Sequence, residues 1–350
     1  MSDPRGGRPL RAGVVGLGMM GRNHLRVWEG IDDVELVAVA DPDPAALAQA
    51  TSGRDVRGYE DPGRMFAEEQ LDLVSVVAPT SLHLPVTVAA LRAGANVLVE
   101  KPIASTREEA VEMIAAADAA GRMLTVGHIE RFNPAIRELR RRLAEGELGR
   151  IFQINATRLG PFPARIRDVG VVVDLAPHDL DVMRYLIGSE PVRLYGETER
   201  RIHTEHEDLF NGIMKFANGV IGVLDINWLT PTKKRTLTVT GERGMYVVDY
   251  ITQDLLFYAN PDASAAPEAP AATDAAPASV SEGEMTKRVI QRREPLAVEL
   301  EEFARAVRDG GPPPVDPRDA MIALLLARKM VESASTGEVV SGAELQTALS

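Results

Sequence analysis

The chain has 350 residues, with 45% hydrophobic and 26% charged residues and a formal net charge of −12. That length allows two domains with sizeable cores, and the acidic balance argues against nucleic acid or an anionic membrane as a generic partner. Cysteine is absent, which excludes disulfides, thiol catalysis and thiolate metal sites.

The first informative stretch is Arg11 to Gly21, RAGVVGLGMMG. An apolar run, Ala12 to Val15, breaks into Gly16-Leu17-Gly18-Met19-Met20-Gly21, and a helix-permissive segment follows from Arg22 to Glu29. In a strand-turn-helix geometry Gly16 allows the tight turn, Gly18 lets backbone approach a pyrophosphate, and Gly21 lets helix and strand pack closely. The helix then directs its free N–H groups and positive dipole end at the phosphates. A second strand, Glu35 to Ala40, ends in Asp41. It lies about 20 residues beyond the last glycine, where a carboxylate accepts hydrogen bonds from a ribose hydroxyl and repels a 2′-phosphate. Dinucleotide binding is therefore expected, with NAD preferred over NADP. The alternative is a structural turn whose aspartate caps the helix after Pro42.

Strand and helix signals continue to alternate. Helices are expected over Pro44–Thr51, Pro62–Glu69, Leu84–Ala93 and Thr106–Ala120, and strands over Asp55–Tyr59, Leu71–Ala78, Asn96–Val99 and Met123–Val126. LDLVSVVA is nearly uninterrupted in its apolar character, as in a parallel sheet covered on both faces. The spacing implies a doubly wound parallel sheet, in which ligands bind outside the carboxyl ends of the strands. Pro79-Thr80, Glu100-Lys101-Pro102 and Gly127-His128 follow such ends. Lys101 there could polarise a substrate hydroxyl beside a nicotinamide, or simply pair with Glu100.

After Gly127 the character changes. Arg131 and Asn133 sit beside the sixth strand's carboxyl end, and a basic helix, Ala135 to Ala144, carries Arg140 to Arg142 as a solvated face. Ile151 to Arg158 alternates as the first strand of a second sheet. Arg158, Arg165 and Arg167 fall within ten residues of a loop-bearing stretch. Arginine forks match phosphate oxygens bidentately, so either a phosphorylated or nucleotide-linked sugar or the acidic surface could claim them. In VVVDLAPHDLDVMRYLIG, Asp174 suits an N-cap with Pro177 in the first turn. Asp174, His178 and Asp181 then share one face. A carboxylate nearby can hold an imidazole in one tautomer, ready to accept a proton; the alternatives are capping alone and a satisfied helix histidine. His203 and His206 read as surface residues without the rest of a metal site, so no metal is expected.

Strands recur from Val192 to Tyr258, forming a mainly antiparallel sheet, and Asn260 to Gly283 is low-complexity sequence expected to be a mobile excursion. Amphipathic helices are expected over Glu299–Arg308 and Asp319–Ser333. The expected division is residues 8–126 as dinucleotide-binding domain and 127–350 as an α+β substrate and oligomerisation domain, with residues 295–335 holding the last helices. Since no apolar run reaches about 18 residues and MSDPRGGRPL lacks a signal-peptide core, the expected setting is cytoplasmic and away from membranes.

The glycine motif, Pro79-Thr80-Ser81-Leu82-His83, Glu100-Lys101-Pro102 and Asp174-Leu175-Ala176-Pro177-His178 together resemble the Gfo/Idh/MocA family over nearly the whole chain. The resemblance implies an α/β fold, a Rossmann domain plus an α+β domain with a large open sheet, often the surface of a homodimer or homotetramer. It implies an NAD(P)-dependent oxidoreductase acting on sugars or cyclic polyols, with Lys101, Asp174 and His178 catalytic. Cofactor contacts are then expected from Gly16, Gly18, Met19, Met20, Gly21, Asp41, Pro79, Thr80, His83, Glu100 and Lys101. Substrate contacts are expected from Lys101, Arg131, Asn133, Arg158, Arg165, Arg167, Asp174 and His178. GHIERFNP with the block from Gly160 to Asp181 resembles members that oxidise the C3 hydroxyl of a nucleotide-linked sugar such as UDP-N-acetylglucosamine. An inositol, free-sugar or sugar-phosphate dehydrogenase is the alternative, and a catalytically silent NAD-sensing regulator is the alternative of another class. Intact Lys101, Asp174 and His178 argue against silence.

Overall fold

The computed structural model describes residues 7–163, 169–202, 205–260, 283–342 and 344–345. Two compact units emerge, one formed by Met1–Phe132 with Arg293–Leu326 and the other by Asn133–Arg292 with Ala327–Ser350.

In the first unit β1 (Leu10–Val15), β2 (Val34–Ala40), β3 (Arg57–Tyr59), β4 (Leu73–Val76), β5 (Asn96–Glu100) and β6 (Leu124–Gly127) form one parallel sheet. Their order is β3-β2-β1-β4-β5-β6, the doubly wound arrangement whose order reverses beside β1 and places the ligand crevice there. Between them run α1 (Met19–Trp28), α2 (Pro44–Thr51), α3 (Pro62–Glu68), α4 (His83–Arg92) and α5 (Arg107–Ala120). Helices on both faces leave the central strands dry, and every residue of β4 is buried. Its one polar residue, Ser75, survives there because its hydroxyl accepts from the indole N–H of Trp28 at 2.9 Å. A buried indole needs such a partner.

The C-terminal stretch departs from the expected division. α8 (Pro295–Asp309) lays Leu296, Leu300, Phe303, Ala304 and Val307 into the same core as Leu25, Trp28 and Leu36 of the first unit. Phe303 packs on Trp28 with ring centroids 6.4 Å apart. Farther on, Val315 and Thr125 exchange two bonds, N–H to Oγ1 at 3.1 Å and Oγ1 to carbonyl at 3.0 Å. Residues 293–326 thus complete the dinucleotide-binding unit rather than the second one. The reason is an apolar stripe on α8 whose complement is α1, which sequence proximity does not disclose.

The second unit is built on β7 (Ile151–Pro161), β8 (Pro191–Glu199), β9 (Leu209–Phe216), β10 (Ile221–Asn227), β11 (Leu229–Gly241), β12 (Gly244–Asp249), β13 (Asp254–Ala259), β14 (Met285–Arg288) and β15 (Val340–Ser341). They line up as β14-β13-β12-β11-β7-β10-β9-β8-β15, with β7 and β10 parallel and the other pairs antiparallel. Alternate residues such as Ile154, Ala156, Phe210, Met214, Leu224 and Val239 are buried. α6 (Pro134–Ala144) and α7 (Val171–Ile187) pack on the sheet. The opposite set, including Ile213, Ile221, Val223 and Thr238, stays half-buried or exposed. Among the described residues, no layer covers that face of the sheet. The basic surface of α6 is laced internally, with Arg141 and Arg142 both on Glu138, as expected of a solvated face. α9 (Pro317–Thr336) closes the helical complement, and no helix among the described residues is long and apolar enough to cross a membrane. The expected excursion at residues 260–283 falls, but for its ends, outside the described residues.

Because Phe303 is fully buried in the first unit's core, Phe303→Ala should cost about 3–5 kcal/mol. A lowered urea midpoint for the dinucleotide-binding unit, followed by loss of NAD-dependent stabilisation, checks this. An unchanged midpoint would detach α8 from that core.

Candidate functional site

The glycine loop has the geometry its spacing promises. Gly16 adopts φ +93°, and a Cβ there would stand 2.6 Å from the Val77 carbonyl oxygen. A Cβ on Gly21 would meet the Gly16 carbonyl oxygen at 1.8 Å, whereas one on Gly18 would meet nothing within 4 Å. Two glycines are therefore demanded by packing, and the third leaves an open approach. α1 begins immediately after Gly18 with no side chain capping its N–H groups, so they are available to phosphate oxygens. Asp41 ends β2 and turns its carboxylate onto this loop, accepting from the Leu17 N–H at 2.6 Å and the Asp43 N–H at 2.9 Å. The helix cap after Pro42 is Asp43, which accepts from the Ala45 N–H at 2.9 Å. Asp41 is thus not the cap, and each of its oxygens keeps a lone pair for a ribose hydroxyl. These residues fit a dinucleotide. Met19 and Pro79 are exposed beside the loop ends, with Met20 and Thr80 half-buried.

At the end of β5 Glu100 and Lys101 are half-buried, and the Lys101–Pro102 peptide is cis. The Glu100 carboxylate has two protein partners. Its Oε2 accepts from the Lys101 N–H at 3.2 Å, and its Oε1 lies 3.1 Å from His24 Nε2. Burial alone would push its carboxyl up, but the hydrogen bond from His24 and the charge of Lys101 outweigh that and hold it below the usual glutamate value. His83, expected on the cofactor, is 1% exposed and turned inward. Its Nε2 lies 2.9 Å from the Ala78 carbonyl and its Nδ1 3.0 Å from that of Pro102. It joins the segments that follow β4 and β5. A cavity of about 460 Å³ opens near Asn96, Arg122 and Leu124. Those residues lie at the amino ends of β5 and β6, the wrong end of the sheet for a ligand of this fold.

Several expected substrate residues are committed elsewhere. Arg131 is 7% exposed and its Nη2 pairs with Asp319 at 3.1 Å. Asn133 is 1% exposed, caps α6 by accepting from the Ala135 N–H at 3.1 Å, and donates to the Tyr250 carbonyl at 3.1 Å. Arg158 is 3% exposed and grips Asp179 through Nε at 2.8 Å and Nη2 at 3.0 Å. Its guanidinium also lies 5.5 Å from the centre of the Tyr250 ring. A buried, doubly bonded fork is part of the second unit's core, where losing one partner costs about 3–5 kcal/mol. Arg165, Arg167 and His203 lie outside the described residues.

α7 starts earlier than its sequence suggests. Its first N–H groups, on Val171 and Val172, are satisfied by the main-chain and side-chain oxygens of Glu207 at 2.9 and 3.2 Å. Asp174 is therefore in the first turn rather than at the cap, and Pro177 lies within the helix, leaving the Val173 carbonyl without its usual i+4 donor. Along this otherwise buried helix the accessible positions are Val173, Asp174, Leu175, His178 and Tyr185. Asp174 and His178, one turn apart, are thus the polar members of this accessible set, whereas Asp181 is buried. His24, Asp179 and Glu207 escaped the sequence reading. Only His24 left a trace, a polar residue on the face of α1 that carries Leu25 and Trp28.

Residues 10–128 match the oxidoreductase family model with an NAD-binding Rossmann fold, and residues 136–247 match the GFO/IDH/MocA C-terminal domain. A UDP-N-acetylglucosamine 3-dehydrogenase from Acidithiobacillus ferrooxidans is 30% identical over 85% of this chain and 88% of its own. The chain belongs to the Gfo/Idh/MocA family. It is an NAD-binding oxidoreductase. Myo-inositol 2-dehydrogenase from Thermotoga maritima is 25% identical over 92% of this chain and 96% of its own. The solved structure of UDP-N-acetylglucosamine 3-dehydrogenase GnnA from Acidithiobacillus ferrooxidans superposes with a TM-score of 0.81. That match has 27% identity and covers 93% of this chain and 98% of the other.

Carbonyls only accept, so a neutral His83 can donate from one ring nitrogen at a time. Burial nonetheless lowers its pKa against the pull of those carbonyls. The unfolded chain then takes up this proton first, near pH 6.5. Stability supplied by His83 is complete above that value and is lost as pH falls through the folded pKa, by up to about 1.4 kcal/mol per pH unit. Urea midpoints at pH 7.5 and 5 should therefore differ more in the wild type than in His83→Gln. Equal slopes would mean that the ring does not titrate with folding.

Proposed function

We propose that this member oxidises a ring hydroxyl of a sugar, the C3 hydroxyl of a nucleotide-linked sugar such as UDP-N-acetylglucosamine, with NAD as the hydride acceptor. What carries the reading is the 30% identity to a dehydrogenase of that sugar, spread over 85% of the chain instead of one motif. Bound NAD supplies the acceptor for the hydride. Gly16 to Gly21 and the free end of α1 hold its phosphates. Lys101 polarises the substrate oxygen, His178 takes the hydroxyl proton, and Asp174 orients the imidazole. The accessible stripe of α7 supports giving the last two residues a chemical role over a packing one.

A polyol substrate is the second reading, favoured by the similarity to an inositol dehydrogenase over 92% of the chain. The commitment of Arg131 to Asp319 and Arg158 to Asp179 favours it too, because it removes two arginines from any phosphate site. Thermal-shift measurements in the presence of NAD separate the two, since a ligand of the native state raises apparent stability. Protection by UDP and UDP-sugars is expected; turnover of free inositol with UDP inert would replace the first reading by the second.

His178→Ala and Lys101→Ala should lower turnover about 10²–10⁴-fold while NAD binding persists, with Asp174→Asn milder. Activity and melting temperature are measured together. A folded His178→Ala enzyme that turns over near the wild-type rate removes the residue from the mechanism.

We assign to a second copy of this chain the sheet face that no described layer covers. Ile213 is 47% and Ile221 37% exposed on that face, and such apolar patches mark association surfaces. Ile221→Lys should lower the molar mass found by sedimentation, and a wild-type mass unaltered by it points to another surface.

A further inference from the structure

His24 belongs to no motif of the sequence, yet it is fully buried beneath the dinucleotide loop, at 0% exposure. Its Nε2 lies 3.1 Å from Glu100 Oε1, and a carboxylate can only accept, so the proton of that bond is on Nε2. The other Glu100 oxygen accepts from the Lys101 N–H at 3.2 Å. The carboxyl carbon rests on Gly127, where an added Cβ would stand 3.1 Å from it. One carboxylate therefore ties α1 to the ends of β5 and β6. Next along the chain, the Pro102 carbonyl is held 3.0 Å from His83 Nδ1. Lys101 is bracketed on both sides by main-chain groups that buried histidines control.

Packing does not account for the choice of residue. His24 Nδ1 is buried and has no hydrogen-bond partner among the described residues, a cost that an apolar side chain would avoid. Histidine is retained for its other nitrogen. We propose that His24 is a positioning residue of this oxidoreductase: by holding the Glu100 carboxylate it fixes the Lys101 main chain, so that the helix receiving the dinucleotide and the lysine facing the substrate are set by one chain of hydrogen bonds. Without that donor a buried Glu100 would tend to take up a proton and turn from the Lys101 N–H. Its present pKa below the usual range agrees with His24 and Lys101 holding it charged against burial.

The inference rests on the reading that Lys101 acts on the reacting oxygen. Its test uses the intact enzyme with the substrate identified by the ligand panel, and NAD titrated by fluorescence. Small misplacements of reacting groups lower rate by up to about 10²-fold, so His24→Leu should lose about 10–100-fold in kcat. KM and the Kd for NAD should stay within about threefold, the pattern of an interaction realised only in the transition state. His24→Gln, whose amide can replace the Nε2–H donor, should recover most of the loss. If His24→Leu does not fold, His24→Asn takes its place, since its shorter amide falls short of Glu100. With six histidines in the chain, nitrogen-15 NMR of the rings gives a substrate-free readout: the His24 proton should reside on Nε2 and its signal should move in Glu100→Gln. Wild-type kcat in folded His24→Leu or His24→Asn, a kcat loss matched by lost NAD affinity, or a ring with no proton on Nε2 overturns the positioning role. Lys101→Ala turning over normally would instead overturn the underlying function.

Discussion

The approach of α1 to β1 is the constraint on which the first unit depends. Only a glycine at position 21 lets the helix press so close that a Cβ would sit 1.8 Å from the Gly16 carbonyl oxygen. That contact sets where α1 starts and leaves its first N–H groups without side-chain caps. It also places His24 and Trp28, on the inner face of the same helix, against β5 and β4. A larger residue at 21 would push the helix outward and loosen every one of these contacts together. The dinucleotide site and the Lys101 corner are thus consequences of one close packing, read from the start and the middle of a ten-residue helix.

Buried polar groups around this corner follow a consistent logic. Ser75 is present for Trp28, Glu100 for Lys101 and His24, His83 for two strand-end carbonyls, and Thr125 for Val315. Each costs desolvation and repays it in register, because a satisfied polar contact tolerates only one arrangement where apolar surface tolerates many. At the carboxyl edge of the sheet, where chemistry needs fixed geometry, Glu100 and His83 make such contacts, while Ser75 and Thr125 make them from within β4 and β6. The middle of the sheet is left to valine, leucine and alanine.

The second unit solves a different problem. Among the described residues the nine-stranded sheet carries helices on one face, and its alternating pattern exposes isoleucine and leaves valine and threonine half-buried on the other. On the covered face, α7 combines a dry interior with one accessible stripe. The Arg158–Asp179 pair anchors that helix to β7 from beneath, while Glu207 satisfies its first turn from the side. Asp174 and His178 are presented by a helix fixed at both levels, which suits groups that must hold their orientation.

Local patterns carried the fold class and the doubly wound sheet, and they singled out Lys101, Asp174 and His178 as candidates. These depend on interactions between near neighbours: turns that need glycine, faces that repeat every 3.6 residues, and strands with two apolar sides. Arg131, Asn133, Arg158 and His83 have protein partners that their local sequence does not announce, for a common reason. A polar side chain's role depends on which distant group satisfies it, and Asp319, Tyr250, Asp179 and the Pro102 carbonyl were brought to them by the tertiary fold. The same holds for α8, whose stripe had no visible complement until α1 lay beside it. By itself, the sequence determined the elements and the chemistry available to them. Only the tertiary structure decided which polar residues are spent on holding the protein together and which are left to act, because burial and pairing are properties of neighbours far apart in the chain.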